Sequence, residues 1–354
     1  MADIDALLAT VKAKNGSDLH LVAGLEPRIR VHGTLEPVEG WDVQSDADVR
    51  ALLKPLLRED KWQAYQRDSD LDFAYGLEGV ARFRANYFVQ EHGAGAVFRI
   101  IPEEIVPFEK LQLPAAIARF VDLEKGLVLV TGPTGSGKST TLASIIDKIN
   151  RTHRKHIVTL DDPVEFVHQN KQCVMSHREI GQHTRSFAEG LRAAIRQDAD
   201  VILVGELRDP ETISLAITAA EMGMLVFGTL HTNSAAKTID RIIDSFPSDQ
   251  QAQARLSLSE SISGIVAQLL LPTANGKGRR ACVEILLRTQ GVPNMIREGN
   301  MAMIKSIIQS GKKEGMQAMD DALMALVEDG SVAPRDAYMK ALDKSRFEPL
   351  LPKS

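Results

Sequence analysis

Gly132-Pro133-Thr134-Gly135-Ser136-Gly137-Lys138-Ser139 decides how this chain is read. The stretch fits G-x-x-x-x-G-K-[ST], a loop whose glycines let successive backbone N–H groups curl around a phosphate. Lys138 supplies a point charge to the β and γ oxygens, and the Ser139 hydroxyl is placed to ligate Mg²⁺. Pro133, Thr134, Ser136 and Thr140 complete the candidate nucleotide-binding set. The surroundings suit it. Residues 126–131 are a short β-branched and leucine run that predicts a strand, and 139–150 reads as a helix with its positive end toward the phosphates.

Outward from the loop, strand and helix patterns alternate. Strands are predicted at 156–160, 201–204 and 225–229, and helices at 187–196 and 211–220. Such alternation implies an α/β domain with a largely parallel sheet covered on both faces. Residues 249–270 read as helix, 281–286 as strand, and the chain from 291 to about 342 as mostly helical.

Three further segments carry polar groups at the carboxyl ends of predicted strands, where an open parallel sheet binds its ligand. Asp200-Val201-Ile202-Leu203-Val204-Gly205-Glu206 is four apolar residues leading to a carboxylate, a Walker B-like pattern that sets Glu206 near Mg²⁺ and the γ-phosphate. Thr159-Leu160-Asp161-Asp162-Pro163-Val164-Glu165 holds three carboxylates, one of which would position or activate an attacking water; a charged Asp-Pro turn is the plainer alternative. Gly228-Thr229-Leu230-His231-Thr232-Asn233 places His231 where it would sense a γ-phosphate through a hydrogen bond.

The first hundred residues differ. Apolar spacing predicts a helix over 3–14 and a second over about 46–66, kinked at Pro55. Strand-like pieces occur at 18–22, 28–31, 71–75, 81–89 and 96–101, the last two joined through 91–95. This is a small α+β domain with an antiparallel sheet. Arg82 and Arg84 share one strand face by period two, and Arg99 lies on the next strand. They are candidate charge-stabilising fingers for a triphosphate, or simply a solvated polar face. Pro102, Pro107 and Pro114 mark a linker or hinge over 102–114. Domains are therefore expected at 1–101 and 115–354.

The 354 residues are enough for two domains at roughly 150 each. With 42 basic and 47 acidic side chains the net charge is −5, the wrong sign for a nucleic-acid coat. The basic loop 276–280 reads as a solvated connection. Cys173 and Cys282 stand far apart, outside any C-x-x-C pair, so reduced thiols are expected and a thiolate zinc site is not. The start of the chain carries no secretory pattern, and no apolar run approaches the ~20 residues of a membrane span.

Residues 126–142, 161–168, 201–208 and 228–236 together resemble the P-loop, aspartate box, Walker B segment and histidine box of the type IV pilus retraction ATPases, the PilT family of secretion ATPases. Residues 17–20 and 79–84 resemble its amino-terminal domain, and 293–298 a variant of its carboxyl-terminal retraction motif. The resemblance implies a PAS-like N-terminal domain and a RecA-like ATPase domain. It also implies a homohexamer using ATP and Mg²⁺ on the cytoplasmic face of the inner membrane, with a pilus platform protein as partner. The family's arginine fingers map onto Arg82, Arg84 and Arg99, its catalytic acid onto Asp161 and its Walker B glutamate onto Glu206. Two departures stand out. Asp161 occupies a position that is usually Glu, which predicts slow hydrolysis or a base role moved to Glu165 or Glu206. Met224 stands where the family often has a second histidine.

Two other classes compete with a retraction motor. A nucleic-acid translocase would carry a basic lumen, against the net charge. A nucleotide-gated accessory paralogue would bind ATP with weak turnover. Within the same family, an assembly or type II secretion ATPase is the nearest alternative, and it would carry extra N-terminal domains and a cysteine-rich insertion.

Overall fold

The structure is a computed structural model that describes residues 3–101 and 104–351. The chain divides into two compact units: Met1–Glu104 with Pro163–Val167, and Ile105–Asp162 with His168–Ser354.

In the first unit, α1 (Asp3–Ala13) is followed by β1 (Asp18–Val22), β2 (Arg28–Val31) and β3 (Thr34–Pro37). Next come α2 (Asp46–Leu53), α3 (Glu59–Asp68), β4 (Asp70–Leu77), β5 (Ala81–Gln90) and β6 (Gly93–Ile101). The strands form one antiparallel sheet in the order β3-β2-β1-β6-β5-β4. Along β5, Ala81, Phe83, Ala85 and Tyr87 are buried while Arg82, Arg84 and Asn86 take the other face, as a period of two requires. The Tyr87 ring meets Phe73 and Phe98 edge-on, with centroids 4.9 and 5.9 Å apart. Such pairs each add about 0.5–1.5 kcal/mol to the area they bury.

The helix expected over 46–66 is broken, not kinked. A Ser45/Asp48 capping box starts α2, which ends at Leu53; Pro55 sits in a 3₁₀ turn at Lys54–Leu56, and α3 begins at Glu59. A proline lacks the N–H that would continue the helix and crowds the preceding turn. The connection expected over 91–95 is shorter, because β6 already begins at Gly93. That residue has φ 122°, and a Cβ there would fall 2.4 Å from Asp46 Oδ1. Asp46 uses that space to accept the Ala94 N–H at 2.7 Å.

Pro102 of the expected linker lies outside the described residues. Farther along the same segment, Glu109 accepts from Lys148 at 3.2 Å and from Arg151 at 3.4 Å. Those bonds pull its carboxyl down to about 2, its own backbone N–H contributing most and Lys148 next.

The second unit runs α4 (Ala115–Ala118), β7 (Gly126–Thr131), α5 (Lys138–Thr152), β8 (His156–Asp161), β9 (Val174–Glu179) and α6 (Phe187–Ile195). It continues with β10 (Val201–Val204), α7 (Pro210–Glu221), β11 (Leu225–Leu230), α8 (Ala235–Asp244), α9 (Gln251–Ser261), β12 (Ile262–Pro272) and β13 (Arg279–Leu287). The helices α10 (Gly291–Glu298), α11 (Ala302–Ser310), α12 (Met319–Glu328) and α13 (Pro334–Lys340) close it. Its sheet has the order β13-β12-β7-β11-β10-β8-β9, and every neighbouring pair is parallel except β12 with β13. β7, β10 and β11 are buried along their whole length, which is why they read as unbroken apolar runs rather than alternating ones.

The helix expected over 249–270 ends at Ser261, and β12 follows. A short apolar run fits strand or buried helix equally well; here the pairing with β7 wins. Gly264 lets the Phe120 ring lie against β12, since a Cβ there would come 2.4 Å from that ring.

Candidate nucleotide site

The chain leaves β7 at Thr131 and turns through Gly132, Gly135 and Gly137, whose φ angles are 148°, 78° and 85°. Side chains avoid this left-handed region. A Cβ on Gly132 would also fall 2.2 Å from the Gln268 carbonyl oxygen. Lys138 folds back over the loop, its Nζ donating to the carbonyls of Gly132 at 2.9 Å and Pro133 at 3.2 Å. Pro133, Thr134 and Gly135 are exposed, while Ser139 and Thr140 are half-buried in the first turn of α5. The buried Ser136 hydroxyl has no hydrogen-bond partner among the described residues. A left-handed glycine loop, a lysine folded over it, a helix amino end and an unsatisfied buried hydroxyl fit a bound phosphate chain.

Gln268 was not anticipated. It lies on β12, 2% exposed, and locks the loop from the side. Its Nε2 donates to Ser136 O at 2.7 Å and its Oε1 accepts from Thr141 Oγ1 at 2.8 Å. The one sequence signal is a lone amide inside the apolar run Ile265–Leu271.

The neighbouring strand ends are stitched to one another. Gly132 N–H donates to Leu230 O at 3.2 Å, Leu207 N–H to Thr229 O at 3.0 Å, and Gly205 N–H to Leu160 O at 2.8 Å. The loops after β7, β11, β10 and β8 are thus held side by side. Glu206 follows β10 and accepts from Arg208 Nη2 at 2.7 Å and from His231 Nε2 at 3.0 Å. Burial works to raise the Glu206 carboxyl, but the Arg208 bond and charge, with His231 beside it, outweigh it and hold it below the usual range. Both Glu206 oxygens are thus already engaged by neighbouring side chains. Asp161 ends β8, and its Oδ1 would lie 2.6 Å from a Cβ on Gly205. A Cβ at 205 would crowd this carboxylate, so glycine leaves Asp161 room against the backbone beside Glu206.

The structure therefore gathers Gly132 to Thr140, Asp161, Glu206 and His231 on one edge of one sheet. Glu165 is exposed and belongs, with Arg82, Arg84 and Arg99, to the first unit. There Arg84 and Arg99 are direct cross-strand partners. Arg99 Nε donates to Asp18 Oδ1 at 2.7 Å, and Arg84 lies 3.8 Å from Asp72. Asp18 is 4% exposed. Burial pushes its carboxyl up, yet bonds from Ser17 and Arg99 bring it below the ordinary value.

His168, the last residue of the aspartate box, pairs with His177, a contact that sequence reasoning did not anticipate. His168 N–H donates to His177 Nε2 at 3.1 Å, and His177 Nδ1 lies 2.9 Å from Thr159 Oγ1 on β8. The rings stack with centroids 5.9 Å apart. Burial, then the neighbouring His177, pushes His168 down to about 4. Their positions, nine residues apart across a turn, carry no local periodicity that would pair them.

Met224 is half-buried against the core of the second unit. Cys173 and Cys282 are free and buried; burial lifts the Cys282 thiol to about 12. Among the described residues, no group of three or more His, Cys, Asp or Glu side chains is arranged to hold a metal. Mg²⁺ commonly takes only one or two protein oxygens beside substrate phosphates, and Ser139 with Glu206 is a donor set of that kind. No described helix is long and apolar enough to cross a membrane.

A family profile described as Type II/IV secretion system protein matches residues 1–333. The chain is 47% identical over 345 residues to the type IV pilus retractation ATPase PilT of Pseudomonas aeruginosa, covering 98% of this chain and all of that one. It is 46% identical over 336 residues to a twitching motility protein of Neisseria gonorrhoeae, covering 95% of this chain and 90% of the relative. A crystal structure of the pilus retraction motor PilT with bound ADP superposes with a TM-score of 0.91 at 41% identity, covering 98% of this chain and 99% of that one.

Proposed function

The chain belongs to the family of type II/IV secretion system proteins, and from that premise we propose that it is an ATP-hydrolysing motor for type IV pilus retraction. The observation that carries this reading is the glycine loop, Asp161, Glu206 and His231 converging on one sheet edge, in a chain similar from end to end to retraction ATPases.

In this reading the loop amides and Lys138 hold the phosphates of ATP. Ser139 would bind Mg²⁺, with Glu206 reaching it through water; the ion supplies charge neutralisation at the β and γ oxygens. Asp161 orients and deprotonates the attacking water, since both Glu206 oxygens are engaged by Arg208 and His231. His231 exchanges its bond to Glu206 for one to the γ-phosphate, reporting whether that group is present. Arg82, Arg84 and Arg99 serve as charge-stabilising fingers. The working form is a homohexamer, its N-terminal domain hinged at 102–114. It acts on the cytoplasmic face of the inner membrane through a pilus platform protein.

Steady-state ATPase activity of the purified chain with Mg²⁺, alongside Lys138→Ala and Glu206→Gln, tests the reading while light scattering follows the oligomer. Turnover abolished by both substitutions, in a hexamer, is the expected outcome. Tight ATP binding without turnover above the two variants would overturn the motor in favour of a nucleotide-gated accessory.

A further inference from the structure

Glu284 is a buried carboxylate with no part in the chemistry above. It lies on β13, at the far edge of the sheet from β9, and is 6% exposed. Its Oε1 accepts the backbone N–H of Ala235 at 2.8 Å. Ala235 is the first residue of α8, and the loop just before it, 231–234, begins with His231. The start of α12, Met319, follows two residues after Gln317, which is paired to the next residue of β13. The Glu284 side chain thus satisfies an orphan donor at the amino end of α8 from a distant part of the sequence.

Other contacts make both ends of this link firm. Ser234 caps α8 through the Lys237 N–H. Thr238 Oγ1 bonds Thr232 Oγ1 at 2.7 Å and Thr131 Oγ1 at 3.4 Å, reaching the last residue of β7 before the glycine loop. On the other side, Gln317 pairs with Ile285 in both directions and donates from its side chain to Val283 O at 2.8 Å. The start of α12 is therefore fixed to β13 at the same place.

Burying a carboxylate is costly unless several donors meet it, and an apolar residue would pack against β13 more cheaply. What the carboxylate adds is a charge-assisted grip on α8 at the point where the His231 loop enters the helix. We propose that Glu284 is a positioning residue for His231, fixing the 231–234 loop to β13 beside the Gln317 pairing that holds the start of α12. Nucleotide-dependent movement of His231 is then transmitted through this carboxylate to β13, and from β13 to the start of α12. The inference rests on the ATPase reading of His231.

The test uses the full-length chain with Glu284→Gln, His231→Ala and the double variant. Glu284→Gln preserves shape and removes the charge. It should lower kcat about tenfold, the size of one charge-assisted hydrogen bond, with KM for ATP unchanged. Added to His231→Ala it should cost almost nothing more, because both changes disable one device. Losses that multiply in the double variant, or a raised KM with kcat intact, would overturn the proposal. Hydrogen exchange at 232–235 separates it from failure of the ATPase reading. If the unaltered chain has no turnover, that reading falls, while faster exchange at Ala235 in Glu284→Gln still supports the clamp. Unchanged exchange there rejects the clamp whatever the turnover. Glu284→Asp, which keeps the charge but shortens the reach, provides a second variant should glutamine unfold the chain.

Discussion

In the proposed mechanism the placement of a single carboxylate, Asp161, governs the rate. The residue is one methylene shorter than glutamate, so its oxygens stand about 1.5 Å farther back along the side chain. Misplacement on that scale can cost a hundredfold in rate. Asp161→Glu should therefore raise kcat by about tenfold or more with little change in ATP affinity; unchanged turnover would place the base elsewhere. Gly205→Ala is the complementary test. Its new Cβ would fall 2.6 Å from Asp161 Oδ1, so kcat should drop while nucleotide binding holds. These two residues also show how far local reading extends. Asp161 was visible as an acid ending a strand, but that Gly205 makes room for it depends on β8 and β10 being neighbours.

Among the elements, β12 shows the largest gap between pattern and structure. Its apolar run continues from α9, and nothing local separates a buried helix from a buried strand. Only the pairing with β7 does so. That pairing also carries Gln268 to the glycine loop, where it replaces a flexible tip with one bonded from two sides. Gln268→Leu fills the space but leaves the Ser136 carbonyl and the Thr141 hydroxyl without their partner. It should destabilise the second unit by about 1–3 kcal/mol and raise KM for ATP more than it lowers kcat. Thermal melts and steady-state kinetics check both parts; unaltered KM would show that the loop holds its shape unaided. Strand β9 and helix α8 escaped prediction for related reasons. β9 is an edge strand of mixed polarity, and α8 is a short helix whose start is fixed partly by Glu284, far away in sequence.

Across the whole molecule, the histidine pair links stability to acidity. His168 titrates near 4 in the folded chain because it is buried and faces His177, against an ordinary value of 6.5. Between those values the unfolded chain binds a proton that the folded chain refuses, so stability is full above pH 6.5 and declines as pH falls toward 4. The loss should reach about 2–3 kcal/mol, read from urea unfolding at several pH values. His168→Gln should flatten that decline relative to the unaltered chain. Equal slopes in the two proteins would assign the acid sensitivity to carboxylates instead.

What the sequence determined alone is whatever depends on spacing within a few residues. The glycine loop between strand and helix, the period of two that turns Arg82 and Arg84 to one face, and the acids and histidine ending buried strands are all of this kind. Backbone sterics and the repeat of each element dictate these features locally. Only the tertiary structure decided what joins residues far apart in the chain: Gln268 against the loop, Gly205 beneath Asp161, His177 against His168, and Glu284 at the amino end of α8. A buried polar group is stable only where distant segments bring it partners, and the identity of those partners is written in the strand order, which no short window of sequence contains.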